Sequence, residues 1–349
     1  MLHGKFVASF ADVESHLESD NVQWIIQNNN TVNVEHLAGL VEHILLDELS
    51  IPRESLPDVQ LVLSLPSSIV YYQLAIRSKI LQRLACILPQ GVFVVESACL
   101  AALGSGHGTS LVVNFGDAGV EISAVTDFCL APSATLFFSQ HALSLQRALA
   151  AKFIACLDSM CDGQEQLKLT PELTDGLARC PVATIQTILK ALPSYKEDDE
   201  FVTFNDGKCC IAVSILDDCL KSIFSADAEL AFFDVMQSVL MACDLDRRPI
   251  ILNHVILTGD LMNSKFMCTW FKRQIATSKI LSVSDFPGEG QASSVTFKTI
   301  ADFYQDSTET AVGCLIWFGA ALTGKYAFAD SRTFLNIKSS TASGTSGSN

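Results

Sequence analysis

The chain has 349 residues, 49% of them hydrophobic, with a mean hydropathy of +0.32, so it can bury one large core or two adjoining ones and falls outside the disordered class. Its formal net charge of -15 gives a surface field that repels polyphosphate, which argues against unaided nucleic-acid binding without naming a partner. The opening MLHGKFVASFADVESH has no basic-then-apolar signal pattern, and the longest apolar run, AVGCLIWFGAAL (311–322), is shorter than the roughly 18 residues a membrane span needs.

In chain order, residues 33–50 place Leu37, Leu40, Val41, Ile44 and Leu45 at helical spacing and stop at Ile51-Pro52. VQLVLSL (59–65) predicts a short buried strand closed by Pro66-Ser67-Ser68, and a helix follows over 72–87. GVFVVE (91–96) predicts a second buried strand, leading into a small-residue helix over 97–103 and the loop GSGHG. SLVVNFGDAGVEISAV (110–125) predicts a hairpin, so helix, strand, helix, strand, helix and hairpin point to an α/β fold with a mixed sheet. A helical middle spans 140–191 and ends in the acidic loop KEDDE. FVTFNDGKCCIAV (201–213) predicts another hairpin, because Asn-Asp-Gly supplies the positive-φ residues of a tight turn. Residues 215–243 are helical with interruptions, 254–258 a buried strand, 263–275 a helix, 295–299 a short strand and 308–322 a helix. The polar tail KSSTASGTSGSN is expected to be disordered.

The common catalytic signatures are absent: no G-x-S-x-G, no H-E-x-x-H and no G-x-x-x-x-G-K-[ST]. The loop from Gly104 to Gly108 has the composition of a phosphate loop, but it joins a helix to a strand, whereas phosphate loops follow a strand and open a helix; it reads as a connector. His43 and Asp47 stand four apart on a helix and read as an exposed ion pair, with no nucleophile to serve. The twelve cysteines sit mostly in apolar text and read as reduced core thiols; neither Cys209-Cys210 nor Cys156 with Cys161 has the paired spacing of a zinc site, so no metal is assigned.

Three segments resemble the actin family in order and spacing. GVFVVESACLAALGSGHGTSLVVNFGDAGVEISAVTDF resembles the family's strand, small-residue helix and second phosphate hairpin. CDLDRRPIILNHVILTGDLMNSKFMCTWFKRQI is similar to its Asp-x-Arg turn, buried strand, adenosine loop and following helix. TAVGCLIWFGAALTG resembles its late Trp-x-Gly-Gly helix, with Ala320 at the second glycine. The resemblance implies an actin-like two-lobed fold of ribonuclease H-like mixed sheets flanked by helices. The first lobe would comprise 1–109 with 306–336, the second 110–305, with a tail over 337–349.

What the resemblance implies for chemistry is a degenerate nucleotide cleft. Asn114 stands where the family has an aspartate acting on nucleotide-bound magnesium, and a neutral amide is a weaker ligand for a hard cation. Phe115 replaces a small polar residue, adding bulk where a phosphate would approach. Gly116 and Asp117 match, Ala118 replaces a turn glycine, and Gly119 follows it. Ser97 occupies the position of the glutamine that orients the attacking water and is too short for that reach. Gly259 is retained in the adenosine loop, but the second glycine is Asp260, a charge beside a polyanion's place. The family's first glycine-rich hairpin has no counterpart in the first 33 residues, and there is no room for the flap-like subdomain: either this half of the cleft is lost or the sequence begins downstream of it.

ATP hydrolysis is therefore expected to be absent or very weak, with no catalytic residues assigned and with ATP and magnesium not favoured as cofactors. Within the family, HILLDELSIPRE followed closely by VQLVLSLPSS, the DLDRR turn and the late VTFKT strand resemble the actin-related members at the pointed end of dynactin's short filament. That resemblance implies a cytoplasmic, cytoskeletal structural subunit whose partners are actin-like filament subunits and pointed-end complex proteins, without direct nucleic-acid contact or membrane insertion. Two alternatives stand beside it: an actin-related subunit of a nuclear chromatin remodeller, and an ATPase or small-molecule kinase on the same fold.

Overall fold

Residues Ile26–Gln27 (β1) and Thr31–Val32 (β2) pair as a short antiparallel ribbon, Ile26 opposite Val32, just ahead of the first helix. The structure, a computed structural model, describes residues 26–27, 31–116, 119–138, 142–159, 167–179, 181–196, 198–224, 232–277, 295–298 and 314–328. Most of the first 33 residues, Asp117 and the polar tail lie outside the described residues. By internal contacts the chain divides into Met1–Gly104 with Ile316–Asn349, and Ser105–Leu315.

In the first unit, Asn33 caps helix α1 (Val34–His43): its side-chain oxygen accepts the His36 amide at 3.1 Å, satisfying one of the unpaired N–H groups of the first turn. The helix widens into a π-turn over Ile44–Glu48, closed by Leu49 N–H donating to Ile44 O. Leu37, Val41 and Leu45, four residues apart, form the buried stripe. Leu40, expected on that face, is 42% exposed, because it sits about 100° round the helix from Val41, at the stripe's edge. His43 and Asp47 form the expected surface pair, Nδ1 to Oδ2 2.6 Å.

Strand β3 (Leu61–Leu65) is followed by a π-turn over Ser68–Tyr72 and helix α2 (Leu74–Ala85), which begins two residues later than its spacing predicts. That crossover returns the chain parallel, so β4 (Val92–Glu96) pairs with β3 from Leu61↔Val92 to Leu65↔Glu96. Leu65, Ile69, Ile80, Leu84 and Leu88 join the α1 stripe in one apolar cluster. Helix α3 (Ser97–Ser105) follows without a break.

The second unit is organised by a five-stranded mixed sheet in the order β12-β11-β5-β6-β7. Its strands are β5 (Ser110–Gly116), β6 (Gly119–Thr126) and β7 (Cys129–Phe138), then, far later in the chain, β11 (Val255–Gly259) and β12 (Phe297–Lys298). β5, β11 and β12 are parallel, while β6 and β7 return antiparallel. β7 is a strand the apolar pattern does not announce: Pro132 lies inside it, and a proline is tolerated here because β7 is the sheet edge and its pairing to β6 is irregular between Ser123 and Val125.

Between β7 and β11 come α4 (Ala142–Ser159), the short β8 (Leu167–Lys168), α5 (Pro171–Arg179) and α6 (Pro181–Ala191). The hairpin β9 (Phe201–Phe204) and β10 (Cys209–Ala212) turns through Asn205, Asp206 and Gly207, all at positive φ, which is the chemistry its Asn-Asp-Gly predicts. Helices α7 (Val213–Phe224), α8 (Phe232–Met241) and α9 (Arg248–Leu252) precede β11, and α10 (Lys265–Thr277) follows it. Arg248 caps α8, its guanidinium donating to Met241 O at 2.7 Å and Cys243 O at 3.0 Å, where a helix C-terminus favours a cation.

One face of the sheet carries Leu111, Val113, Phe115, Val120, Ile122, Val255 and Leu257, alternating along each strand, and packs on α8 and α10 in a single apolar cluster. The chain ends its described course in α11 (Leu315–Ala327), inside the first unit for all but its first residue. Gly319 is required there: a Cβ would overlap the Leu100 carbonyl of α3, so the two helix backbones touch only because the side chain is absent. Among the described residues no helix is long and apolar enough to cross a membrane.

Candidate functional site

The hairpin β5–β6 is fixed by seven register pairs ending in Gly116↔Gly119, with Asp117 and Ala118 at its tip outside the described residues. On its other side β5 pairs with β11, Asn114 beside Thr258 and Phe115 beside Gly259. Asn114 is thus flanked in register by Glu121 on one strand and Thr258 on the other, all three on the face opposite the apolar cluster.

That face sets a row of polar side chains beside the buried Val112 and Ile256, and it is closed to water. Asn114 is 9% exposed, Glu121 1%, and Ser110, Ser123 and Thr258 0%. Ser123 Oγ donates to Glu121 Oε1 at 2.9 Å. Asn114 Oδ1 and Ser110 Oγ have no hydrogen-bond partner among the described residues, which is costly for buried oxygens. Glu121 is the residue the sequence reading missed. Its signal was the period of two in GVEISAV: with Val120, Ile122 and Ala124 turned to the core, Glu121 and Ser123 must share Asn114's face.

Phe115 goes the other way. Its ring is fully buried in the apolar cluster, 4.7 Å from Phe271, 5.8 Å from Phe232 and 6.2 Å from Phe224 between centroids. The bulk expected to obstruct a phosphate is therefore spent in the core, because adjacent residues of a strand point to opposite faces. Gly116 follows at the strand end, half-buried.

Gly259 has φ +99°, and a Cβ there would overlap the Phe115 backbone. Packing of β11 on β5 demands a glycine here whether or not any ligand is present. Asp260 opens a single 3-10 turn, Asp260–Asn263; its side chain lies outside the described residues. Ser97, in the first unit, starts α3 at 6% exposure, and its hydroxyl accepts a hydrogen bond from Ser64 Oγ at 3.2 Å.

Chemically, the Asn114 row offers oxygen acceptors, one carboxylate and the Ser123 hydroxyl that donates to it, with Glu121 and Ser123 both closed to solvent. Among the described residues no group of three or more His, Cys, Asp or Glu is placed to hold a metal ion, and the cysteines with described side chains are free thiols. A surface depression of about 530 Å³ lies elsewhere, lined by Thr170, Pro171, Glu172, Asn205, Asp206 and Lys208. The Glu172 carboxyl there is held below the usual range by its own backbone N–H and the Thr170 hydroxyl, an arrangement that completes the first turn of α5. No protein-family model matches the chain, and no curated protein matches it.

Proposed function

We propose that the chain is an actin-related structural subunit that does not turn over ATP, holding a fixed place at the pointed end of dynactin's actin-like filament and docking the other pointed-end proteins in the cytoplasm. The observation that carries the non-catalytic part is the Asn114–Glu121 pair. The position that would face phosphate-bound magnesium is a neutral amide with its oxygen shut away from water, and the neighbouring strand sets a carboxylate in register beside it. Ser97, engaged with Ser64, adds no side chain long enough to orient an attacking water. The three-segment resemblance supports the actin-related part, and the spacing of HILLDELSIPRE, VQLVLSLPSS and VTFKT supports the pointed-end part.

The test is affinity capture of the full chain from cell lysate with identification of stoichiometric partners. Recovery of actin-like filament and pointed-end subunits is the expected result; recovery of a remodelling ATPase in their place would move the chain to the nuclear alternative. A fluorescent ATP analogue bound at micromolar concentration, or filaments formed by the purified chain alone, would overturn the reading.

A further inference from the structure

Arg248 turns its guanidinium back onto the end of α8. Nη2 donates to Met241 O at 2.7 Å and Nε to Cys243 O at 3.0 Å, which caps the helix, and Nη1 donates to Met241 Sδ at 3.5 Å. The third bond adds nothing to the cap, because a thioether is a weak acceptor and the unpaired groups at a helix C-terminus are carbonyls. What it does is set a sulfur atom beside a cation whose position two carbonyls fix.

Burial separates this sulfur from the others. Met236, Met262 and Met267, the other methionines among the described residues, are 1%, 2% and 0% exposed inside the apolar cluster. Met241 is 49% exposed, so an oxidant in solution reaches its sulfur without any opening of the fold. Leu245 and Ile250 are exposed as well, so Met241 begins an apolar stretch of chain whose polarity one oxygen atom alters.

We propose that Met241 is a redox modification site for a hydroperoxide-class oxidant, and that Arg248 directs the oxygen and holds the sulfoxide that forms. A sulfur lone pair attacks the outer oxygen of the peroxide; the S–O bond forms, the O–O bond breaks, and the proton of the transferred oxygen passes to the departing one, which leaves as water or an alcohol. Sulfur loses two electrons and the peroxide gains them. Negative charge builds on the peroxide as its O–O bond parts, and the Nη1 N–H stands where it can hydrogen-bond that charge. Oxidation makes the sulfur a stereocentre, and a donor fixed on one side of Sδ favours one epimer. In the product the S=O oxygen replaces sulfur as acceptor of the same N–H, so the capture asks nothing further of Arg248. The two carbonyl bonds stay, α8 stays capped, and the exposed segment gains a polar group. A methionine sulfoxide reductase matched to that epimer reverses the change. The inference is independent of the nucleotide reading.

The test treats the full chain with dilute hydrogen peroxide and maps its peptides by mass. Met241 should gain one oxygen at least about tenfold faster than Met236, Met262 and Met267. Reductases specific for each sulfoxide epimer then read the stereochemistry, and one of them should restore at least about nine-tenths of the oxidised Met241. Arg248→Lys, which keeps the charge but not the fork, should give the two epimers in nearly equal parts. Oxidation should move the thermal midpoint by less than about 2 °C. Exposed thiols also react with peroxide, so the same treatment of Met241→Leu separates their contribution. If Arg248→Lys fails to fold, guanidinium 15N NMR of the unaltered chain decides: Nη of one arginine should shift on oxidation, and should not in Met241→Leu. Oxidation of Met241 no faster than of the buried methionines, equal action of both reductases, a larger Met241-dependent fall in the midpoint, or guanidinium signals that do not respond would each overturn the proposal.

Discussion

The two faces of the five-stranded sheet are made by the same strands and solve burial in opposite ways. One presents Phe115, Val113, Ile122 and Leu257 to an aromatic cluster in which Phe115, Phe224, Phe232, Trp270 and Phe271 meet at centroid distances of 4.7 to 6.2 Å. The other presents Ser110, Asn114, Glu121, Ser123 and Thr258 beside Val112 and Ile256, closed to water but with the Asn114 and Ser110 oxygens unpaired among the described residues. A strand's period of two forces this division, so a substitution at one residue and at its neighbour should report on different physics. The apolar face supplies stability; the opposite face holds the buried polar row.

The largest effect is expected on the apolar face. Phe115→Ala removes a fully buried ring from the centre of the cluster and should cost about 3–5 kcal/mol, read as a fall in the urea midpoint at unchanged slope. A loss below 1 kcal/mol would mean that Phe115 is not in the core. Next is Gly259→Ala, which adds a methyl against the Phe115 backbone at a φ that L-residues avoid; a cost of about 2–4 kcal/mol is expected from strain and overlap together. Because packing alone demands this glycine, the loss should appear in the absence of any nucleotide and be no smaller for it.

On the polar face the informative change is Asn114→Asp, which restores the acid the resemblance expects. At a position only 9% exposed the new carboxylate is desolvated, so its folded pKa must lie above its unfolded value of about 4. The folded state then holds the proton more tightly than the unfolded one, and stability falls as pH rises through that interval: no penalty below about pH 4, the full penalty above the folded pKa. At pH 8 a loss of about 2 kcal/mol is expected, shrinking toward pH 5. Asn114→Val, which removes the unpaired oxygen, should be neutral or stabilising at both pH values. If Asn114→Asp instead gains stability at pH 8, or acquires binding of an ATP analogue, the face is a site waiting for a cation rather than one that has closed.

The fold was legible wherever one local rule sufficed. The 201–213 hairpin followed from Asn-Asp-Gly, and the parallel strands β3, β4, β5 and β11 from short apolar runs bounded by turns. β7 was missed because Pro132 and Ser133 break its pattern, and only its position at the sheet edge, a tertiary fact, makes the proline acceptable. The candidate site was half legible. Asn114, Gly259 and Ser97 could be singled out, but which face each residue served depended on register, and so Phe115 was given to the wrong face and Glu121 to none.

The smallest effect is kinetic and asks whether the apolar face stays shut in solution. Cys209 and Cys219 lie in that cluster at 0% and 3% exposure, whereas Cys86 and Cys129 are exposed. Cys243 stands between these cases: burial pushes its thiol pKa up, and the nearby Arg248 pulls it back only in part. Alkylation requires thiolate and access together. At neutral pH Cys86 and Cys129 should label first and Cys243 at least about tenfold more slowly; Cys209 and Cys219 should react only when the unit unfolds. Phe115→Ala should speed labelling of Cys209 and Cys219 without changing Cys86, because it loosens their cluster and leaves the first unit alone. Asn114→Val should change neither rate. If the two substitutions exposed the same thiols equally, the faces would not be separable and their different chemistry would carry no functional meaning.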